Sequence, residues 1–455
     1  MRRTPVMISG AVALMGVVLL LSPSGRAKAG FKVEEIKPVN PKAPVGMISD
    51  ADKKLPQDHD YIVHEWGTFT SFSGSDGIAL DFRPLVDEDL PKFVMDRPRQ
   101  DALNRHRELN YARGTTEKGF VLSKQRMETP VTYFYTDRER VVDVKVAFPH
   151  GLLTEFYPPV RQFGPDYKKD VREPLEGSWL RWGHVRLLPE AQALNKDGID
   201  PVIRDVKPGE NPHYAYARET DSAHLQITDP ATMNTYREKF LFYRGVGNFK
   251  LPVRVESSGG DHFTLTNSSA TPIHYAFVVQ IDQGKVRFAR YDNIGPSVNM
   301  TLPSETSSLD DLAGEMSLAL VSDGLFEKEA QAMVKTWKAS WFGEEGTRVL
   351  YSLPQGQTDS LLPLALDPTP KEMVRVMIGR LETLTPEREA SIEALVSHLG
   401  DNDPAARDQT VQKLITMGRF AEPALTRVAA MTSDLEVKVR AEGLLKVIAA
   451  KRVAK

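Results

Sequence analysis

From Tyr61 to about Leu302 the chain is written in short runs of β-branched and aromatic residues, each broken by glycine, proline, asparagine or aspartate. The clearest cover residues 61–72, 129–135, 141–148, 263–266, 274–281 and 286–291. Runs of this length and composition are strand signals, and the breakers between them are turn formers. Many short strands predict a mainly β, antiparallel, sandwich-like core, although periodicity alone does not separate a sandwich from a barrel.

Within 141–148 the residues at 142, 144, 146 and 148 are apolar while Asp143 and Lys145 are charged. A period of two buries one face of a strand and wets the other. The runs 274–281 and 286–291 flank Asp282-Gln283-Gly284-Lys285, which reads as a hairpin closed by a short glycine-containing loop.

The pattern changes after Pro303. Residues 309–322 and 325–341 carry apolar side chains at helical spacing, notably Leu318, Val321, Phe326, Ala330, Met333, Val334 and Trp337, with Asp323-Gly324 and Gly343 as punctuation. Strand-like pieces return at 347–353 and 373–378 around the proline-rich 361–370. Residues 303–385 therefore read as a mixed α/β region packing on a β-rich domain of 61–302.

From Pro386 the chain is helical and repeats itself. Aligning Asp403 with Asp434 pairs Thr410 with Ala441 and Leu414 with Leu445, an offset of 31 residues. Helix pairs 392–399 with 405–417, then 422–431 with 435–450, resemble HEAT-like solenoid repeats in their proline-capped helices and Asp-x-x-x-Arg/Lys helix starts. Two copies fall short of the ~3 usually needed for independent stability, so 386–455 is expected to dock on the preceding region and to offer a surface to a protein partner.

Residues 1–29 read as a secretory signal. Arg2 and Arg3 precede an apolar run from 12 to 21 interrupted only by Gly16, and Ala27-Lys28-Ala29 offers a cleavage site before Gly30. That run is shorter than the ~20 residues a spanning helix needs. The expectation is a periplasmic or secreted protein with no membrane span after signal removal. Residues 30–60, with Pro38, Pro41, Pro44 and Pro56, read as an extended linker.

The chain has no cysteine, which excludes a disulfide framework, thiolate metal sites and lipidation at a signal-peptide cysteine. Of its 58 basic residues, four lie in the signal, leaving 54 against 61 acidic and a mature net charge of −7. A balance of that sign argues against a general nucleic-acid binder.

Four segments resemble, as a set, those of exported proteins of planctomycete-type environmental bacteria, a family without an assigned activity. They are His64-Glu65-Trp66-Gly67-Thr68-Phe69-Thr70, Met127-Glu128-Thr129-Pro130-Val131-Thr132-Tyr133-Phe134-Tyr135, Phe240-Leu241-Phe242-Tyr243-Arg244-Gly245-Val246-Gly247 and Trp341-Phe342-Gly343-Glu344-Glu345-Gly346-Thr347-Arg348. The resemblance spans roughly 61–385 and implies a boundary and export, but no catalytic role.

Chemistry must then be read from the residues. His64 and Glu65 are adjacent, so on a regular strand they point to opposite faces. The pair is not a His-Glu-x-x-His zinc helix, because position 68 is Thr68. A divalent metal at His64 would need ligands from distant segments, with His150, His184, His224, His262 and Glu155 as candidates; the competing reading is a histidine hydrogen-bonded at a sheet edge. Trp66 and Phe69 read as core.

Glu128 enters an apolar strand and must be paired or sit at a pocket rim. Arg244 is the opposite charge in a comparable setting, as a structural ion pair or as the other half of a site for a carboxylate or sugar. Glu344, Glu345 and Arg348 follow two tryptophans, but adjacent carboxylates are a poor source of a glycosidase pair, and solvated charges at a helix end are the simpler reading.

Gly245-Val246-Gly247 lacks a dinucleotide context, and Gly74-Ser75-Asp76-Gly77 is one residue short of a serine elbow and reads as a turn. Two functions follow. One is a non-enzymatic exported binding or scaffold protein with a protein-interaction tail. The other is a periplasmic hydrolase, metal-dependent or acting on glycans, built from His64, Glu65, Glu128 and Arg244.

Overall fold

A computed structural model describes residues 60–84, 90–97, 100, 123–165, 176–189, 212–229 and 233–453. The expected signal, its cleavage site and nearly all of the linker lie outside the described residues. In chain order the strands are β1 (Ile62–Ser73), β2 (Ala79–Leu80), β3 (Met95–Asp96), β4 (Gln125–Tyr135), β5 (Arg140–Phe148), β6 (Gly151–Tyr157), β7 (Gln162–Gly164), β8 (Ser178–Leu188), β9 (His224–Thr228) and β10 (Thr235–Glu238). They continue as β11 (Leu241–Gly247), β12 (Val253–Gly259), β13 (His262–Asn267), β14 (Ile273–Asp282), β15 (Lys285–Ile294), β16 (Ser297–Thr301), β17 (Gly346–Leu353), β18 (Leu364–Asp367) and β19 (Glu372–Thr383). The helices are α1 (Pro212–Tyr216), α2 (Leu309–Ser322), α3 (Glu327–Phe342), α4 (Gln355–Leu361), α5 (Pro386–Ser397), α6 (Pro404–Met417), α7 (Glu422–Met431) and α8 (Leu435–Val453). No helix among the described residues is long and apolar enough to cross a membrane.

The chain is mainly β, but not purely antiparallel. A ten-stranded sheet runs β15-β14-β17-β19-β1-β4-β11-β6-β3, with β2 on the end of β1, and its central pair β1–β19 is parallel from Ile62↔Glu372 to Ser73↔Thr383. Partners some 310 positions apart are free of the tight turn that forces antiparallel pairing between sequence neighbours. The large sheet thus draws strands from both sides of residue 302, with β17 and β19 lying between β14 and β1. A six-stranded sheet (β10-β9-β8-β5-β18, with β7 on β8) and a three-stranded sheet (β12-β13-β16) complete the β structure.

Local chemistry sets the elements. In β5 the residues at 142, 144, 146 and 148 are buried and alternate with partly exposed ones. The β14–β15 hairpin closes on Gln283 and Gly284, both at positive φ (49° and 75°), the geometry of a two-residue turn matched to strand twist. Ser308 caps α2 reciprocally with Asp311, while Thr385 and Asp403 cap α5 and α6 ahead of Pro386 and Pro404.

One face of the large sheet shares a core with the other two sheets: Val63, Phe69, Phe134 and Tyr243 meet Val144, Val146, Leu180, Trp182 and Val255. The other face carries α2 and α3, where Trp66, Tyr133, Phe242 and Phe277 meet Leu312, Met316, Met333 and Trp341. Of the apolar residues noted at helical spacing, Leu318 and Val321 are exposed, because α2 turns Leu312, Met316, Ala319 and Leu320 inward, and Phe326, just before α3, is partly exposed with its ring 4.4 Å from that of His64. Helices α5–α8 build a third core around Leu399, Leu414, Phe420, Leu425 and Leu445.

The tail docks on the body. Phe420 lies 6.4 Å, ring to ring, from Phe72, and its ring fills the place a Cβ at Gly346 would need. Gly346 also sits at φ 120°, so glycine is required there twice over. The backbone N–H and hydroxyl of Ser75 donate to Glu389 at 3.1 and 2.6 Å.

Candidate functional site

Three of the four motif segments are neighbouring strands: β1, β4 and β11 lie side by side. Between β1 and β4 the register slips, with Gly67 facing the two residues Thr129 and Pro130. A Cβ at Gly67 would come within 2.9 Å of Pro130 Cα, so the bulge and the glycine require each other. Thr129 takes φ 43°, a rare conformation for a β-branched residue, and its buried hydroxyl has no hydrogen-bond partner.

His64 and Glu65 point to opposite faces of β1. On the helix side, His64 Nδ1 is 2.7 Å from Glu329 Oε2 on α3. The same carboxylate accepts the Phe326 N–H at 2.8 Å and the Tyr135 hydroxyl at 2.7 Å, tying β1, β4 and the start of α3 together. Burial, then the charge of Glu329, pushes the Tyr135 phenol far above its ordinary pKa.

On the opposite face Glu65 is fully enclosed. Thr132 and Tyr243 donate to Oε1 at 2.8 and 2.6 Å, and Arg375 donates Nε and Nη2 to Oε2 at 2.8 and 2.6 Å. Burial by itself would lower the Arg375 guanidinium, but Glu65 beside it reverses this and holds it above its usual value. Arg375 Nη1 continues to Asp359 at 2.9 Å.

The helix-side face also carries a row of buried polar side chains across six neighbouring strands, charged on all but β1: Arg348 on β17, Arg380 and Glu382 on β19, the hydroxyl of Thr70 on β1, Arg126 and Glu128 on β4, Arg244 on β11 and Glu155 on β6. The expected Glu128–Arg244 pair is not the one formed. Arg244 stands opposite Glu155 and grips it through Nε and Nη2 at 2.8 and 3.0 Å. Glu128 stands opposite Thr68, accepts the Thr70 hydroxyl at 3.0 Å and lies 2.9 Å from Arg126 Nε, a charge contact rather than an aligned hydrogen bond.

Arg348 donates to Glu382 at 3.1 Å and to the carbonyls of Trp341 and Glu344 at 2.6 and 2.7 Å, so it closes the turn after α3. Burial pulls this guanidinium below its usual pKa against the opposing charge of Glu382. Glu344 accepts Arg380 at 2.8 Å and lies 3.2 Å from Arg419 of the tail. Glu345 instead binds the hairpin N–H groups of Gln283 and Gly284 at 2.9 and 3.2 Å.

The histidines proposed as co-ligands are dispersed. His184 and His224 sit on the six-stranded sheet, His262 on the three-stranded one, and His150 in an exposed turn. Among the described residues no group of three or more histidines and carboxylates assembles to hold a metal. The set His64, Glu65, Glu128 and Arg244 does not converge, whereas Glu128, Arg244 and Glu155 share a face on adjacent strands.

Sequence reasoning missed Glu329, Arg375, Arg380, Glu382 and Arg419. The signal that singled out Glu128, a charge inside an apolar strand, was equally present in β19, where Arg375, Arg380 and Glu382 interrupt a run of aliphatic residues. No protein-family model matches the sequence, and a search of curated proteins returned no match.

Proposed function

We propose that this chain is an exported, non-enzymatic binding or scaffold protein, with a sandwich-like body and a HEAT-like helical tail that holds a protein partner. One observation carries the reading: the polar residues singled out by the motifs serve as buried ties between strands. Glu65 spends both oxygens on Thr132, Tyr243 and Arg375, and Glu155 spends both on Arg244. A catalytic carboxylate has to reach a substrate proton at ~2.6–3.2 Å, directly or through water. The tail, by contrast, leaves Leu435 and Val439 exposed.

Removing the tail at Thr385 is a poor test, since it would uncover Phe72 and strip Glu344 of Arg419. The better test immobilises the full chain and a Leu435→Glu, Val439→Glu variant and compares the envelope proteins each retains. A partner lost by the variant supports the reading, and identical retention by both counts against it.

The alternative of a periplasmic hydrolase has one observation in its favour. The strained Thr129 lies beside Glu128, and residues held in sparse backbone regions gather at functional sites. On that reading the site is Glu128 with Arg244 and Glu155, without Glu65. Turnover of an ester, peptide or glycan that Glu128→Gln abolishes at unchanged melting temperature would establish it.

A further inference from the structure

Helices α6 and α8 are related by the 31-residue offset, and their inward positions match: Thr410 and Leu414 are buried, as are Ala441 and Leu445. Their outward positions do not match. On α6 the exposed row is Asp408, Gln412 and Thr416; at the equivalent places α8 carries Val439, Gly443 and Val447, preceded one turn earlier by Leu435. Leu435 is 74% exposed, Val439 60% and Val447 41%. The chain thus makes this face polar where it meets water in the first repeat and apolar in the last, where a solenoid end would carry a polar cap.

The four positions are spaced by four, forming one seam along the helix. We propose that the seam is the contact between two copies of this chain, with α8 crossing α8 of the second copy antiparallel about Gly443. This deepens the reading of the tail as an interaction module by naming its partner. Three features favour a second copy. Val439 and Val447 lie symmetrically about Gly443, with Leu435 beyond them at one end, so a two-fold axis at Gly443 sets Val439 against Val447 of the second copy twice over. A Cβ at Gly443 would meet nothing within 4 Å, so the glycine serves no packing within the chain but lets two helices approach closely. The same axis sets Lys446, exposed at the seam's margin, beside Glu442 of the second copy. The seam is narrow beside the ~800 Å² per partner of a standard interface, so the dimer should be weak and concentration-dependent.

Sedimentation of the full chain over roughly a hundredfold range of concentration, wide enough to span a weak association of this kind, is the test. The expected result is a monomer–dimer equilibrium that Val439→Glu abolishes and Lys446→Glu weakens. Gly443→Gln decides the geometry: a better helix former in open space, it should leave the melting temperature unchanged or raised while removing the dimer. Asp408→Asn, on the matching face of α6, should change nothing. A chain that stays monomeric throughout, or a dimer indifferent to Gly443→Gln, overturns the proposal. If the monomer still captures another protein through the seam, the tail's binding role survives and only self-association fails; if it captures nothing, both fail.

Discussion

The sheet body and the helical tail handle charge in opposite ways. In the body Glu65, Arg348, Arg380 and Glu382 are sealed from solvent and paired. In the tail Arg427–Glu393 lies at the surface with both side chains about half exposed, and apolar side chains share that surface. The difference teaches that a polar residue in an apolar strand of this protein is a joint between strands, whereas on the outer face of the last helix it is apolar residues, Leu435, Val439 and Val447, that stand in solvent. Arg419 crosses between the two regimes, as a tail arginine buried against the body; burial would lower it, but Glu344, Glu128 and Glu382 together hold it above its usual value.

The largest separation of the two regions should come from alkaline pH. Tyr133, Tyr214, Tyr243 and Tyr275 have phenols raised well above 10.0, burial being the main cause of each. A pKa raised in the folded state contributes stability below the unfolded value and loses it as pH rises past that value. The tail from Pro386 onward has no tyrosine. Phenolate absorbance from these four should therefore appear only well above the ~10 of a free phenol, and together with loss of β-sheet circular dichroism. One smooth titration with the sheet intact would erase the contrast.

Next in size is Arg375→Met. Removing one partner of a buried pair leaves the other charge unpaired and typically costs ~3–5 kcal/mol. Urea unfolding should show a loss of that order, and Glu65→Gln added to Arg375→Met should restore part of it. A single-variant loss below ~1 kcal/mol would place Glu65 among groups that tolerate isolation, against its enclosure.

The smallest effect belongs to the tail surface. Arg427→Ala should shift stability by no more than ~1 kcal/mol, and less in high salt, because exposed pairs gain little over hydration. A salt-independent loss of several kcal/mol would show the tail to be built like the body.

Much of the element pattern was legible. The helix over 309–322, the helix over 422–431, the hairpin at Gln283-Gly284 and the alternation of β5 follow from local signals of caps, glycine and period. The segment 373–378 proved to be half of a longer strand, because β19 carries on through Gly379, Arg380 and Glu382, where charge hides the strand signal. For the candidate site, the opposite faces of His64 and Glu65 were readable from strand geometry. Their partners were not, since Glu329 and Arg375 lie 265 and 310 positions away.

By itself the sequence determined what is local: a mainly β body, helices after Pro303 and Pro386, freedom from cysteine chemistry, and an excess of acid over base. Tertiary structure decided which strands became neighbours, that β1 and β19 run parallel at the centre, and that Arg244 takes Glu155 while Glu128 takes Arg126. The physical reason is that periodicity and capping act over a few residues, whereas the pairing of a buried charge is set by register between strands that chain order does not fix.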